Sequence, residues 1–527
     1  MMVPVQFVGK TGLIIDQPPY DLPPGFWNDC RNVRFELGGI ERAPSWRTLT
    51  TFGGSPIPYG LFFVHSLIGR FWVYTGLQQV MSIAGTSVTD ITRLSGPYTG
   101  TAQDFWQGGM FNDHLILNNG VDVPQYWDLP NAATDLADLP NWPATHRAKV
   151  IAPFKEFLIA LDVTISGERD DRLVMWSHPA DPLQIPPSWD VADETLDAGQ
   201  VSLSEGEDKI IDGMQVGNQF MITTGAQTWA MTFIGGQDIM AFRRVFSEIG
   251  SLAQGCASTF LNKVFQVTGD DFVIHDLQSV TSVGYDRTKR WFFTQLTPAS
   301  YDKVRVVRKM TAKEMWICFS SGGTLVNNLA LVWNWQFDTW TIRDIEDNHH
   351  AMASGPTSPT ATSTNAWDSV VGTWAAQDSL TWESNTYERA VEGLALASTA
   401  LRLRVNGDTV AVDDATVNYV ERTGVAVKGL SRGEIVIDHG HLAVMREIWP
   451  KFVCDDGIVF SITVGFSMSR KAPVAWQAPK DFTQGTTVKL GFFGTFRYLS
   501  YRVDCFTVGA NWKLIGFDLD LEPTARL

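Results

Sequence analysis

A short pattern of apolar and polar residues recurs along the first two thirds of the chain. In residues 214–225, MQVGNQFMITTG, an apolar approach leads to a two-residue polar turn, a run suited to a strand, and then Thr-Thr-Gly. Apolar runs on both sides of a short polar turn predict a β-hairpin. Related stretches occur at 67–76, 111–120, 153–162, 261–271 and 310–323. The sequence therefore predicts repeated copies of one hairpin.

The spacing of these hairpins predicts a repeat architecture. Aligned on one turn position, the copies have intervals of 43, 43, 62, 45 and 50 residues and stand at Arg70, Asp113, Glu156, Asn218, Lys263 and Lys313. A period in the forties is what four strands and their turns occupy in one propeller blade. We predict one closed β-propeller of about six to eight blades over residues 51–350. We also predict that Phe157 and Phe220 occupy equivalent blade positions.

The stretches outside the repeats predict further segments of an all-β chain. Within residues 1–50, the run IIDQPPYDLPPGFW is Pro-rich and extended and NVRFELGGIER has the pattern of a hairpin, so we predict an N-terminal arm and hairpin. Residues 351–380 contain the small, polar, proline-containing run ASGPTSPTATSTN, which predicts a flexible connector. Residues 381–527 alternate apolar and polar positions and predict a C-terminal β-sandwich or barrel-like domain. Its last strand should point three side chains inward, namely Phe517, Leu519 and Leu521.

Composition and charge narrow the functional classes. The chain has 527 residues, of which 44% are hydrophobic and 19% charged, as in globular proteins of more than one domain. Its net charge is −16, and residues 1–380 carry −15 of this, from 25 Lys and Arg against 40 Asp and Glu. Residues 162–212 alone hold 13 acids and three bases. Such acidity argues against a protein that grips nucleic acid, but it allows nucleic acid to slide past.

Cysteine usage and hydropathy indicate the cellular compartment in which we expect the protein to be made. The five cysteines are odd in number and far apart, with no Cys-x-x-Cys pair, so neither a disulfide framework nor a zinc site is indicated. The N-terminus lacks a secretory signal pattern, and no apolar run approaches the roughly 18 residues of a membrane span. We expect a soluble protein made in a reducing cytoplasm.

Catalytic and metal-binding patterns are absent or weak. The sequence contains no Gly-x-x-x-x-Gly-Lys-Ser/Thr loop, no His-Glu-x-x-His and no Gly-x-Ser-x-Gly. His439 and His441 would share one face of a strand, but no third metal ligand is close in sequence. Paired acids such as Asp170-Asp171 and Asp270-Asp271 are more typical of turns than of glycosidase carboxylates. We predict that the protein is not an enzyme and has no catalytic, metal-binding or cofactor-binding residue.

The residues around the N-terminal hairpin are candidate contact residues. Three arginines recur there, close to a tryptophan. Cations beside a hairpin can keep an edge solvated and unpaired, or they can contact a neighbouring subunit. The candidates for subunit or adaptor contact are Trp27, Arg31, Arg34 and Arg42.

Both ends of the chain resemble one family. The opening DLPPGFWNDCRNVRFELGGIER resembles that of the tail tube or nozzle proteins of short-tailed bacteriophages, also called tail tubular B or packaged-DNA stabilisation proteins. The matching residues are Leu22, Pro23, Trp27, Asn32, Val33, Arg34, Phe35, Gly38, Gly39, Glu41 and Arg42. The close, FRYLSYRVDCFTVGANWKLIGFDLDLEP, resembles the end of the family through Arg497, Tyr498, Trp512, Gly516, Phe517 and Asp518.

The resemblance implies a structural virion protein with a propeller, assembled in the host cytoplasm. Six copies would form a homohexameric ring at the distal end of a short tail. The ring would dock onto an adaptor or portal-proximal ring, carry fibres or spikes, and act as conduit and closure for genomic DNA that passes without specific binding. An acidic wall would let DNA slide. The candidate lumen acids are Glu168, Asp170, Asp171, Asp193 and Glu194.

Three other functions fit parts of the pattern. The many tryptophans leave open a glycan-binding propeller, such as a receptor-binding lectin, in which exposed aromatics would lie beside paired polar groups. A propeller hydrolase would use a carboxylate pair. A cytoplasmic scaffold of the tryptophan-aspartate repeat kind would need a Gly-His signature that the repeats lack.

Overall fold

The computed structural model describes residues 2–526 except for 24, 55, 68, 131–132, 205–207, 237, 357–391, 408–409, 411–414, 432–433 and 438–439. Most of the predicted connector and His439 therefore lie outside the described residues. Helical elements in the described part are short: a 3-10 turn at Pro19–Asp21, α1 at Lys289–Gln295 and a 3-10 segment at Pro298–Lys303. None of them is long and apolar enough to cross a bilayer.

The chain begins with four short strands. These are β1 (Met2–Gln6), β2 (Asp29–Arg31), β3 (Val33–Glu36) and β4 (Gly39–Arg42). The β3–β4 hairpin turns on Leu37 and Gly38, which both have positive φ, at 49° and 73°. Positive φ at both central residues is the geometry of a type I′ turn, which matches the twist of the strands it joins. The predicted N-terminal hairpin is therefore present.

Residues 46–406 contain the repeated sheets. Their strands are β5 (Trp46–Thr51), β6 (Gly60–His65), β7 (Arg70–Thr75), β8 (Val80–Ala84), β9 (Ser87–Asp90), β10 (Gln107–Phe111), β11 (His114–Asn118), β12 (Gln125–Trp127), β13 (Ala137–Asp138), β14 (His146–Phe154), β15 (Phe157–Ile165), β16 (Glu168–Trp176), β17 (Gly199–Ser202), β18 (Ile210–Val216), β19 (Gln219–Thr224), β20 (Thr228–Phe233), β21 (Met240–Phe246), β22 (Ala257–Phe260), β23 (Lys263–Val267), β24 (Phe272–His275), β25 (Val280–Val283), β26 (Arg305–Lys309), β27 (Glu314–Phe319), β28 (Asn327–Asn334), β29 (Thr339–Pro356), β30 (Glu392–Ser398) and β31 (Arg402–Asn406).

These strands form a closed propeller of seven blades. Five four-stranded antiparallel sheets, from β6–β9 to β22–β25, follow one another along the chain. The first half of β29 completes a sixth blade with β26, β27 and β28, and its second half begins a seventh with β30, β31 and β5. First strands of most neighbouring blades contact each other, blades four and five share an apolar cluster, and β29 returns to β6. The predicted propeller is thus confirmed, and the recurring hairpin joins the first two strands of blades one to six.

The seventh blade joins distant parts of the sequence. Its outer strand β5 comes from residues 46–51 and pairs antiparallel with β31, with Trp46 opposite Asn406. The predicted propeller limits of 51 and 350 are therefore too narrow. Strand pairing carries residues 351–356 and 392–406 into the ring, so these residues belong neither to a connector nor to the C-terminal domain.

The predicted equivalence of Phe157 and Phe220 is wrong. Both lie in the second strand of a blade, but Phe157 directly follows its turn and pairs with Phe154, whereas Phe220 lies one position further and pairs with Gln215. A shift of one residue turns a side chain to the other face of a sheet. Both rings nevertheless belong to one core cluster between adjacent blades, where Phe220 packs edge-on against Phe154.

The remaining strands build a second domain. They are β32 (Asn418–Val425), β33 (Val427–Ser431), β34 (Glu434–Ile437), β35 (His441–Cys454), β36 (Val459–Ser467), β37 (Ala475–Trp476), β38 (Lys480–Thr483), β39 (Leu490–Phe496), β40 (Tyr498–Cys505) and β41 (Trp512–Arg526). One sheet contains β3, β4, β41, β35 and β39, with β1 also paired to β41. The other contains β2, β32, β40, β36 and β37, with β38 also paired to β36. Phe452 of the first sheet stacks on Phe460 of the second at 3.7 Å, so the two sheets form a sandwich.

The N-terminal strands are not a separate arm. They pair with β41 and β32, so the sandwich is made from both ends of the chain with the propeller inserted between them. The inward side chains predicted for the last strand are confirmed, since Phe517, Leu519 and Leu521 are buried. The same apolar core continues through Trp27 into blades five and six at Phe265 and Trp340. The two domains therefore share one core.

This connectivity predicts how fragments behave. We expect residues 392–527 to stay unfolded alone, because they lack β1–β4. Residues 1–356 co-expressed with 392–527 should co-purify, because those strands and β5 then meet their partners. The matched control, residues 52–356 with 392–527, should not. Affinity capture followed by circular dichroism measures both outcomes. A cooperative melt of 392–527 alone would contradict the shared sandwich.

Candidate functional site

A buried carboxylate lies where the sandwich meets the propeller. Glu314 begins β27 and is 2% exposed. Its Oε1 accepts hydrogen bonds from Arg34 Nε at 2.8 Å and Arg343 Nη2 at 3.1 Å, and its Oε2 accepts one from Trp316 Nε1 at 3.0 Å. Burial alone would raise the pKa of Glu314, but Arg34, Arg343 and Lys309 outweigh it and lower the pKa to about 2. The carboxylate is therefore ionised and links β3 to blade six.

Neighbouring hydrogen bonds extend this joint along β3. Asn32 has a positive φ of 54°, and its side chain donates to the Asp344 carboxylate at 2.9 Å while accepting from the Asp344 amide at 2.8 Å. Thr341 Oγ1 donates to the Val33 carbonyl at 2.8 Å. Asparagine tolerates left-handed backbone better than most residues, which suits it to this position. The sandwich is thus fixed to β29 by directed contacts as well as by apolar packing.

Most of the predicted contact residues already form buried contacts within the chain. Trp27 is fully buried and donates from Nε1 to the Val8 carbonyl at 2.6 Å. Arg42 is buried and donates from Nη1 to the Ala510 carbonyl at 2.9 Å. Arg34 belongs to the Glu314 joint, so these three cannot form an outer contact surface without unfolding. Arg31 keeps the most exposed side chain of the four, at 25%, and lies 3.6 Å from the Asp344 carboxylate.

The predicted lumen acids separate into two places. Glu168, Asp170 and Asp171 lie at the start of β16, whereas Asp193 and Glu194 lie in the 177–198 loop that follows its other end. A nine-residue strand is roughly 25–30 Å long, so the two groups are at opposite ends of blade three. The acidic stretch is therefore not one patch. The separation follows from β16, which runs through the middle of the stretch.

A cavity of about 600 Å³ lies at the end of the propeller where the loops between blades meet. Residues from five blades line it, including Phe105, Lys149, Arg169, Lys209, Gln254 and Tyr301. Asp162 sits on this wall at a β-bulge with a φ of 54°, and its carboxylate accepts from Arg169 Nε at 2.7 Å. Asp302 forms an ion pair with Lys303 at 2.9 Å. The cavity thus combines charged side chains with apolar and aromatic walls.

Contacts between opposite blades occupy the space behind this opening. The Arg305 guanidinium lies 4.0 Å from the ring centre of Phe105, which precedes blade two. Arg305 Nη1 also donates to the Gln254 carbonyl beside the neighbouring blade at 3.1 Å, and Lys303 Nζ donates to the Ala102 carbonyl before blade two at 2.9 Å. A narrower cavity of about 160 Å³ continues behind them along β6, β26 and β29. These cross-axis contacts make the opening a recess with a floor.

The sequence contains no local motif for this recess. Lys149, Lys209 and Lys303 are far apart in sequence and meet only because each lies at or near the start of a blade's first strand. A useful signal would have been a charged residue at that position in several repeats. Within the described residues, no group of three or more His, Cys, Asp or Glu side chains is placed to hold a metal ion.

Comparison with known proteins gives distant structural similarity alone. No protein-family model matches the sequence, and no curated protein matches it. The Pan2 WD40 domain of Neurospora crassa aligns with a TM-score of 0.38 and 9% identity over 70% of this chain and 96% of that one. Apo AztD from Citrobacter koseri aligns with a TM-score of 0.32 and 11% identity over 62% and 85%. These values say nothing about function. By its own sheets, the chain is an all-β protein in which a seven-bladed propeller is inserted into a β-sandwich.

Proposed function

We propose that this chain is a structural subunit of the distal ring of a short bacteriophage tail, where six copies surround the path of the DNA. One observation carries the proposal. The two sequence stretches that resemble the tail nozzle family are joined in one folded unit, with Ile40 of β4 opposite Leu514 of β41. Gly39 lies so close to Lys513 that a Cβ there would approach its Cε to 2.6 Å. The resemblance therefore concerns one packed structure.

The same region offers a surface for a neighbouring copy. Phe7 and Leu37 are 67% and 77% exposed, and a Cβ on Gly38 would lie 3.2 Å from the Phe7 ring. Ile515 is also exposed, beside Gly516, which pairs with Gln6. Contiguous exposed apolar side chains mark interaction sites in soluble proteins. We assign the Phe7–Leu37–Ile515 patch to the contact between neighbouring subunits of the ring, with adaptor and fibres bound elsewhere on it.

A substitution in the turn tests this assignment without weakening the fold. Leu37→Asn should preserve or improve the hairpin, because Asn-Gly is a preferred type I′ pair, while it removes the apolar side chain. We expect the purified wild-type chain to form hexameric rings in negative-stain images, and Leu37→Asn to shift the mass distribution toward monomers. Leu94→Asn, which changes a 90% exposed leucine on a propeller loop, is the matched control and should leave the rings unchanged.

Virions decide between this function and the alternatives. The chain should be found in tails, at the end remote from the capsid. A wild-type chain that is monomeric at every concentration, together with tails that lack it, would contradict the proposed function. Rings that persist in Leu37→Asn would instead remove only the assignment of the contact patch.

A further inference from the structure

We propose that the recess at the loop end of the propeller axis is a binding site for a carboxylated sugar, such as a uronate in an acidic glycan. Its cationic groups are the first reason. Lys149 and Lys209 line the cavity and have no carboxylate partner within the described part of the chain. The two carboxylates of the wall are already matched, Asp162 by Arg169 and Asp302 by Lys303. Among the described residues, two lysines therefore remain to receive an anion.

The recess also has acceptors and ring faces that suit a sugar. Gln254 is 8% exposed, and its Oε1 has no hydrogen-bond partner among the described residues. A buried acceptor left without a donor costs free energy, and rotation of the Gln254 side chain toward the cavity would let a ligand hydroxyl supply that donor. Phe105 and Tyr301 add aromatic surface against which the apolar face of a sugar ring can pack.

The mixture of charges favours a carboxylated sugar over a polyphosphate. With Asp162 and Asp302 paired, the cavity keeps an excess of two cations, which is fewer than the charges that several phosphates carry. A single ligand carboxylate needs only one lysine as its partner. The carboxylate oxygens of Asp162 and Asp302 can then accept hydrogen bonds from the sugar hydroxyls. The volume of about 600 Å³ lies within the range of ligand pockets and can hold a short oligosaccharide.

Calorimetric titration of the full chain tests the site with three probes at matched ionic strength: sodium glucuronate, glucose and sodium pyrophosphate. We expect glucuronate to bind, and glucose to bind at least about tenfold more weakly, because it lacks the charge-assisted hydrogen bond. The double variant Lys149→Ala, Lys209→Ala should weaken glucuronate about tenfold or more. Lys263→Ala removes an exposed lysine at the opposite end of the propeller and should change nothing.

Three results would overturn the proposal: no heat with glucuronate, tighter binding of pyrophosphate than of glucuronate, or unchanged glucuronate affinity in the double variant. A thermal melt of each variant without ligand shows whether it is folded. The recess lies within one propeller, so this outcome is independent of whether the chain forms a ring.

Discussion

Replacing Glu314 with glutamine is expected to lower the free energy of unfolding by about 3–5 kcal/mol, because it removes one partner of a buried ion cluster. Arg34 and Arg343 would each keep a charge in the interior without the carboxylate that now accepts their hydrogen bonds. The Arg34–Glu314 ion pair joins the sandwich to blade six, so both domains should lose stability together. Urea unfolding of the full chain, followed by tryptophan fluorescence, measures the change in midpoint.

Glu447→Gln is the matched control for charge loss. Glu447 pairs with Lys489 at 2.9 Å on the surface of the sandwich, where exposed ion pairs contribute about 0–1 kcal/mol. The urea unfolding midpoint of Glu447→Gln should therefore stay close to that of the wild type. Equal, small effects of the two substitutions would show that the Glu314 cluster does not hold the domains together.

The pH dependence of stability provides a second readout of the same carboxylate. The pKa of Glu314 is lowered from 4.5 to about 2 in the folded chain, so its stabilising effect is present above pH 4.5 and is lost as the pH falls toward 2. Glu314→Gln cannot titrate. We expect the variant to lose less stability than the wild type over that interval.

Replacing Trp512 with alanine is expected to cost about 3–5 kcal/mol, the usual range for a large aromatic removed from a core. Trp512 is 2% exposed and lies edge-on to Phe460 at 5.7 Å. Its Nε1 donates to Asn418 Oδ1 at 2.9 Å, so the substitution also leaves a buried acceptor without its donor. The full chain must be used, since residues 381–527 lack the four N-terminal strands of the sandwich.

Trp476→Ala is the control that distinguishes the loss of a core side chain from the loss of any tryptophan. Trp476 lies in the short strand β37 of the same domain and is 40% exposed. We expect its melting temperature to stay within experimental error of the wild type. An unchanged melting temperature for Trp512→Ala as well would mean that Trp512 does not belong to the core.

The repeat architecture was predictable because each blade encodes its own hairpin. The turn at Gly217-Asn218 and its flanking strands use only local information: turn residues, strand propensity and alternation. A spacing in the forties then excluded most other repeat folds. The same local rule failed for Phe157 and Phe220, because sequence similarity of two hairpins does not report a one-residue shift in register.

The seventh blade and the composition of the sandwich depend on pairings between distant residues. Trp46 pairs with Asn406, and Met2 pairs with Asp520, across hundreds of residues that leave no local trace of either contact. The sequence therefore indicated a separate N-terminal arm, although the residues of this hairpin complete the core of the sandwich. Arginine at positions 34 and 42 was interpreted as a surface signal, because a single sequence does not show that Glu314 or the Ala510 carbonyl lies beside them.

The amino-acid sequence by itself determined the all-β class, the propeller and the strands of the C-terminal part, because period and alternation are properties of neighbouring residues. Only the tertiary structure decided where charge is concentrated. Ring closure gathers Lys149, Lys209 and Lys303 at one recess, and β16 carries Glu168 and Asp193 to opposite ends of a blade. Side chains that are adjacent in a closed ring come from different blades, and no local pattern links them.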